Sequence, residues 1–168
     1  MTAEFHRSLR HVSVSPQGRQ ERLEATPEER EALARRLGLL SLEAFSAEIH
    51  LTPAPGQAIR ARGTLSAQVV QECVVTLEPV HQPVKAAIDW RILPPGEEPS
   101  DDLEEGPDEI ESNPDGTTDI GEALVQELAL SLDPYPRAPG AELPAEAKEG
   151  GSSPFAALRA LGAIQKPG

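Results

Sequence analysis

Hydrophobic and polar residues alternate over three long stretches of the chain, and a period of two predicts β-strands with one buried and one wet face. Ala47, Ile49 and Leu51 alternate with Glu48 and His50. After the turn signal Pro53-Ala54-Pro55-Gly56, Ile59, Ala61, Leu65, Ala67 and Val69 alternate with Arg60, Arg62, Thr64, Ser66 and Gln68. The apolar set runs on through Cys73, Val75 and Leu77 to Pro79, which extends the expected strand. A connection from Glu78 to Pro83 then leads to Val84, Ala86, Ile88, Trp90 and Ile92, set against Lys85, Asp89 and Arg91. Three successive strands with short connections predict an antiparallel meander. The weaker alternation from Phe5 to Leu23, broken at Pro16-Gln17-Gly18, predicts a two-stranded edge hairpin.

Two segments carry helical signals. Thr26-Pro27-Glu28-Glu29 has a Thr N-cap, Pro at the first helical position and Glu at the third, the capping-box arrangement. Leu33, Ala34 and Leu37 follow on one face, and Gly38 supplies a C-cap. Ile120, Leu124, Leu128 and Leu132 lie four apart with Val125 beside them, after an Asp119 cap and before Pro134. A third, shorter pattern follows Ser153-Pro154, with Phe155, Leu158 and Leu161.

The fold class expected is α+β: an antiparallel β-sheet meander packed by two helices, with a disordered acidic loop and a mobile C-terminal tail. A single domain would occupy residues 1–136, with a flexible acidic loop at 96–117. Residues 137–168 would be a flexible tail with a short helix near 153–163. The loop assignment rests on charge, since nine of the fifteen residues from Glu97 to Glu111 are acidic and almost none is apolar. Such a segment buries too little surface to offset its ordering entropy.

Charge also divides the 168-residue chain. Residues 1–95 hold 11 Lys+Arg and 11 Asp+Glu, while residues 96–168 hold 4 against 17 and supply the whole net charge of −13. A phosphate-gripping protein needs a basic surface, which the second half lacks. The single cysteine, Cys73, excludes an internal disulfide framework. The polar N-terminal residues and the lack of a long apolar run give the expectation of a cytoplasmic protein.

Candidate chemistry is sparse. His6, His11, His50 and His81 have no metal-ligand spacing, and a site built on Cys73 and His81 would need two more ligands. No GxSxG, GxxxxGK or GxGxxG pattern occurs. The expectation is therefore a protein with no catalytic site, no cofactor and no metal. One feature does suggest binding: Arg60, Arg62, Lys85 and Arg91 project from the wet faces of neighbouring strands, joined on this reading by Arg7 and Arg10. Such a face either is simply solvated or contacts RNA phosphates.

Three stretches, taken in order, resemble a known family. They are the run from Val69 through Cys73-Val74-Val75-Thr76-Leu77-Glu78-Pro79 to Val80, the helix from Thr118-Asp119-Ile120 to Asp133-Pro134-Tyr135-Pro136, and Ser153-Pro154-Phe155-Ala156-Ala157-Leu158. The chain is similar to the YceD-like family of large ribosomal RNA subunit accumulation proteins, in its alphaproteobacterial-type branch. The family-motif positions are Cys73, Leu77, Pro79, Asp119, Glu127, Pro154 and Phe155. The resemblance implies a non-enzymatic ribosome biogenesis factor supporting 23S ribosomal RNA, which would act on ribosomal RNA or a basic ribosomal protein. The lack of a long apolar run gives the expectation of no membrane, and no small-molecule substrate is evident in the sequence. Thr76 stands where relatives often have a second cysteine, so no zinc or redox role follows. The competing expectations are an acidic interaction module for an unrelated basic partner and, further off, a hydrolase or nuclease using Asp119 or Glu127.

Overall fold

The computed structural model describes residues 4–100 and 106–138. Its strands are β1 (Ser8–Arg10), β2 (Arg19–Glu24), β3 (Ser41–Ala54), β4 (Ala58–Glu72), β5 (Pro79–Ile92), β6 (Asp108–Ile110) and β7 (Thr117–Asp119). The helices are α1 (Pro27–Leu37) and α2 (Ile120–Ser131). The main sheet has five strands in the order β2-β3-β4-β5-β6, antiparallel except for the parallel β5–β6 pair. β1 and β7 form a second, two-stranded antiparallel sheet. The architecture is α+β, as the alternation and helical periods predicted.

Each helix begins where its sequence dictates. Thr26 Oγ1 accepts from the Glu29 N–H at 3.2 Å, and Glu29 Oε1 accepts from the Thr26 N–H at 2.9 Å, completing the capping box. Gly38 ends α1 with φ +70°, a left-handed conformation in which glycine carries no Cβ penalty. Asp119 Oδ1 caps α2 by accepting from the Glu122 N–H at 3.2 Å. Leu33 and Ala34 of α1, and Ile120, Leu124, Val125 and Leu128 of α2, are buried in the core. They cover the sheet face formed by Phe45, Ile49, Leu51, Leu65, Val69, Ile88 and Trp90. A register shift between Leu42 and Ala44 in β3 explains why Leu42 and Phe45, of opposite parity, are both buried.

The N-terminal segment crosses the first turn of α2. A Cβ on Gly121 would lie 2.4 Å from the Phe5 carbonyl oxygen and 2.8 Å from the Arg7 nitrogen, so a larger residue would push the two apart. Phe5 is itself buried, its ring centroid 5.1 Å from that of Phe45.

Several expectations need correction. The N-terminal strands do not form a hairpin: β1 pairs with β7 and β2 pairs with β3. Their partners lie far along the chain, out of reach of a local pattern. The strand expected to run through Cys73, Val75 and Leu77 stops at Glu72, and the connection to β5 is the turn Cys73–Glu78 instead of 78–83. The acidic loop is partly built into the sheet. Asp108–Ile110 pair in parallel with Trp90–Ile92, the Leu93 N–H donates to Ile110 O at 2.8 Å, and Asn113–Gly116 form a turn. The tail and its short helix near 153–163 lie outside the described residues, as do 101–105.

Candidate functional site

Opposite the helices, the sheet presents an open polar face. In an antiparallel pair, residues directly opposite share a face, so the β4–β5 register decides which side chains meet. Arg60 lies opposite Arg91, Arg62 opposite Asp89, and Ser66 opposite Lys85. β3 adds Thr52 beside Arg60 and His50 beside Arg62. The four cations singled out from the sequence, Arg60, Arg62, Lys85 and Arg91, thus do lie on one face.

Arg60 and Arg91 would repel each other if unaccompanied. Both are matched by carboxylates. Arg60 donates from Nε and Nη2 to the two oxygens of Asp89 at 2.6 and 2.8 Å, a fork-to-fork pair. Arg62 Nε lies 3.6 Å from the same carboxylate. The Arg60 hydrogen bonds hold the Asp89 carboxyl below its usual range, and Asp89 in turn raises Arg60. Arg91 Nη1 stands 3.5 Å from both Glu97 and Glu109, and its Nη2 donates to Pro55 O at 3.3 Å. Glu109 is held low first by the Ser100 hydroxyl, with Arg91 adding to the effect. Lys85 is exposed and forms no ion pair among the described residues. The face is therefore a lattice of alternating charge, with Arg62 and Lys85 its most available cations.

Arg7 and Arg10 do not join this face. Arg7 sits between the helix N-termini, donating to both oxygens of Glu29 at 2.8 and 2.9 Å and stacked 4.3 Å from the centre of the Phe5 ring. Arg10 pairs with Thr117 in the small sheet. Arg36 makes the matching bridge to α2, donating from Nη1 to Glu122 at 2.9 Å and to Glu4 at 3.2 Å.

Asp119 is a structural hub. It accepts from the Arg7 N–H at 3.0 Å and caps Glu122, while His6 Nδ1 lies 2.7 Å from its second oxygen. Burial alone would raise its pKa, but these three donors outweigh that and leave it lowered. An acid so fully engaged has little capacity left to activate water. Glu127 is half-buried on α2, and its carbonyl oxygen accepts from Ser131 Oγ at 2.8 Å.

The turn after β4 was not visible in the alternation. Cys73 is fully buried there, and its Sγ accepts from the N–H groups of Val75 and Thr76 at 3.4 Å and of Ala138 at 3.3 Å. Hydrogen bonding from the Thr76 side chain is the largest influence, and with the Ala138 N–H it brings the thiol down to about 7. His81 is turned elsewhere, its Nδ1 3.7 Å from Glu43, so no nucleophile–base pair forms with Cys73. Leu77 adopts φ +63°, a conformation that costs a non-glycine residue roughly 1–2 kcal/mol, yet its side chain is 67% exposed. The Asp133–Ala138 segment straps the turn down: Gln71 Nε2 donates to Asp133 O and the Val74 N–H to Pro136 O, both at 2.9 Å.

Among the described residues, no group of three or more His, Cys, Asp or Glu side chains is placed to hold a metal ion. No helix among them is long and apolar enough to cross a membrane.

These features define a small α+β protein, with one sheet face covered by helices and the other open and charged. Residues 61–162 match the family described as Large ribosomal RNA subunit accumulation protein YceD, and because that is more than half of the 168 residues, the chain belongs to this family. No curated protein and no solved structure matches the chain. The matched span holds all of β4 but its first three residues, together with β5, α2 and the Cys73 turn, and so includes the strapped turn, the Asp119 cap and the charged face except for Arg60.

Proposed function

We propose that this protein is a non-enzymatic ribosome biogenesis factor of the cytoplasm, which supports accumulation of 23S ribosomal RNA by holding a basic protein of the large subunit. Family membership supports the ribosomal role. The observation that carries the choice of partner is the pairing of Arg60, Arg62 and Arg91 with Asp89, Glu97 and Glu109. With three of its four cations matched in this way, the open face offers phosphate little uncompensated charge beyond Lys85. The unmatched charge is the acidic surplus of residues 96–168. A chain so charged attracts basic proteins over long range and repels nucleic acid. β6 ties one end of the acidic loop to the sheet edge, which holds Glu109 beside Arg91.

The test is a pull-down from cell lysate with and without RNase, using the full chain and a variant with Glu98, Asp101, Asp102, Glu104 and Glu105 changed to Gln or Asn. The substitutions spare β6. Capture of large-subunit proteins that survives RNase and is lost in the variant is the expected result. Capture that the substitutions leave unchanged would sink the proposal.

A second reading, direct RNA contact, draws on Arg62, whose side chain is 67% exposed, and on Lys85. It predicts RNase-sensitive capture and binding that weakens with salt in proportion to the phosphates contacted. Arg62→Glu with Lys85→Glu would then reduce RNA affinity, whereas on the leading proposal the pair leaves capture intact.

A further inference from the structure

One face of α1 and the link that leads from it into β3 form a groove of about 340 Å³. Arg30, Glu31, Ala34 and Arg35 line it from the helix, at the three- and four-residue spacings that share one stripe. Leu39 to Leu42 line it from the other side. Ala34, Leu39 and Leu42 are buried, while Leu40 stands 51% exposed. The Leu40 N–H donates to Val70 O at 2.8 Å, so the sheet fixes the backbone beneath that side chain. The groove precedes residues 61–162, so family membership assigns it no role.

Arg30 gives the groove its chemistry. Its Nη1 donates to the carbonyl oxygens of Leu42, at 3.4 Å, and of Glu43, at the register shift in β3. These bonds hold the guanidinium in place without neutralising it, because both acceptors are uncharged. Among the described residues Arg30 forms no ion pair, and its Nε and Nη2 have no acceptor. Those two nitrogens are the side-on fork that grips a carboxylate through parallel hydrogen bonds. The carboxylates nearby are engaged or lie outside the groove. Glu31 pairs with Arg35 at 3.0 Å, the Glu43 carboxylate lies 3.7 Å from His81 Nδ1, and the exposed Glu28 does not line the groove. One cation is therefore left in excess beside leucine side chains. A cleft of this volume is at the small end of ligand-binding cavities. We infer that the groove between α1 and β3 binds a short apolar carboxylate, its chain against Leu39, Leu40 and Leu42 and its charge on the Arg30 Nε/Nη2 fork. Two sources offer that chemistry: a free acid, and the C-terminal residue of a peptide ending in an apolar side chain. The site is independent of the partner proposed above.

The experiment is an amide NMR titration of the full-length protein, near neutral pH, with hexanoate and with N-acetyl-leucine. Hexanamide and N-acetyl-leucinamide serve as uncharged counterparts. Saturable shifts are expected at Ala34, Leu39, Leu40 and Ser41, with a Kd of roughly 2–20 mM for ligands of this size. The amides should bind at least about fivefold more weakly, since they cannot make charge-assisted bonds to the fork. Tighter binding of hexanoate marks the free acid as the source, and tighter binding of N-acetyl-leucine marks the chain terminus; either order supports the site. Arg30→Lys keeps the charge but not the fork, and should weaken both acids. Because Arg30 also holds two backbone carbonyls, Leu40→Glu is the second variant. It leaves Arg30 and the buried lining in place, sets a carboxylate at the groove, and should weaken both acids at least about fivefold. Absence of saturable shifts up to about 50 mM would overturn the inference, as that lies beyond the affinity expected. So would equal binding of acids and amides, shifts centred away from α1 and residues 39–42, or a Leu40→Glu variant that binds as the wild type does.

Discussion

Arg7 and Glu29 form a two-pronged ion pair, with both guanidinium nitrogens within 2.9 Å of the carboxylate, and this pair joins the N-terminal segment to the first turn of α1. Glu29 also closes the capping box, so one carboxylate serves two purposes. Arg7→Ala should lower stability by about 2 kcal/mol, because it breaks charge-assisted hydrogen bonds at a partly buried site. In denaturant titrations of Arg7→Ala, Glu29→Gln and the double variant, the two single losses should not add. Strict additivity would show that the pair is not coupled.

The same pair sets an acid limit. The Arg7 hydrogen bonds hold Glu29 at about 2, against an ordinary value of 4.5. A carboxyl with a depressed folded pKa contributes its full stability above pH 4.5 and loses it as pH falls toward 2. Thermal melts between pH 5 and pH 2 should show a downward slope that is shallower in Glu29→Gln.

Cys73 gives the opposite end of the scale. Its thiol is lowered from 9.0 to about 7, so its contribution to stability is largest above pH 9 and is lost as pH falls through 7. The wild type should therefore gain stability relative to Cys73→Ser between pH 7 and pH 9. Because the sulfur is fully buried, alkylation by iodoacetamide should be slow in the native protein and fast after unfolding. Rapid alkylation of the native protein would contradict the observed packing.

Gly63 lies opposite Ile49, and a Cβ there would sit 1.8 Å from the Glu48 carbonyl oxygen. Backbone cannot yield as a flexible side chain can. Gly63→Ala should cost about 3 kcal/mol or more, at or beyond the upper end of ordinary overpacking. A change in melting temperature of only a degree or two would show that the β3–β4 pairing relaxes more readily than its hydrogen bonding suggests.

What could be read in the sequence followed from the range of the interaction. The Thr26–Glu29 box, the Gly38 stop and the Asp119 cap are complete within a few residues, and each was found where expected. The alternation of β3, β4 and β5 located their buried and open faces, because side-chain direction in a strand depends only on parity. Pairings that cross the chain were hidden. β1, β6 and β7 have three residues each and no alternation to detect, and their existence depends on partners elsewhere. The Cys73–Leu77 run kept the strand parity, but the chain already turns from Cys73 onward, with the Leu77 N–H bonded back to Cys73 O, so parity no longer sets side-chain direction. Asp89 shared the parity of Lys85 and Arg91, yet its pairing with Arg60 needed the β4–β5 register, which the misplaced turn concealed.

The contact between Ser8–Arg10 and Thr117–Asp119 also bears on how the protein is made. β1 is synthesised first and waits for a partner more than a hundred residues later. Until β7 and Gly121 have emerged, Phe5 has no helix turn to lie across, and the N-terminal segment stays unsatisfied throughout translation. Long-range closure of this kind is slow compared with the sheet meander. The last folding step should thus be the return of Phe5–Arg10 onto β7 and the first turn of α2.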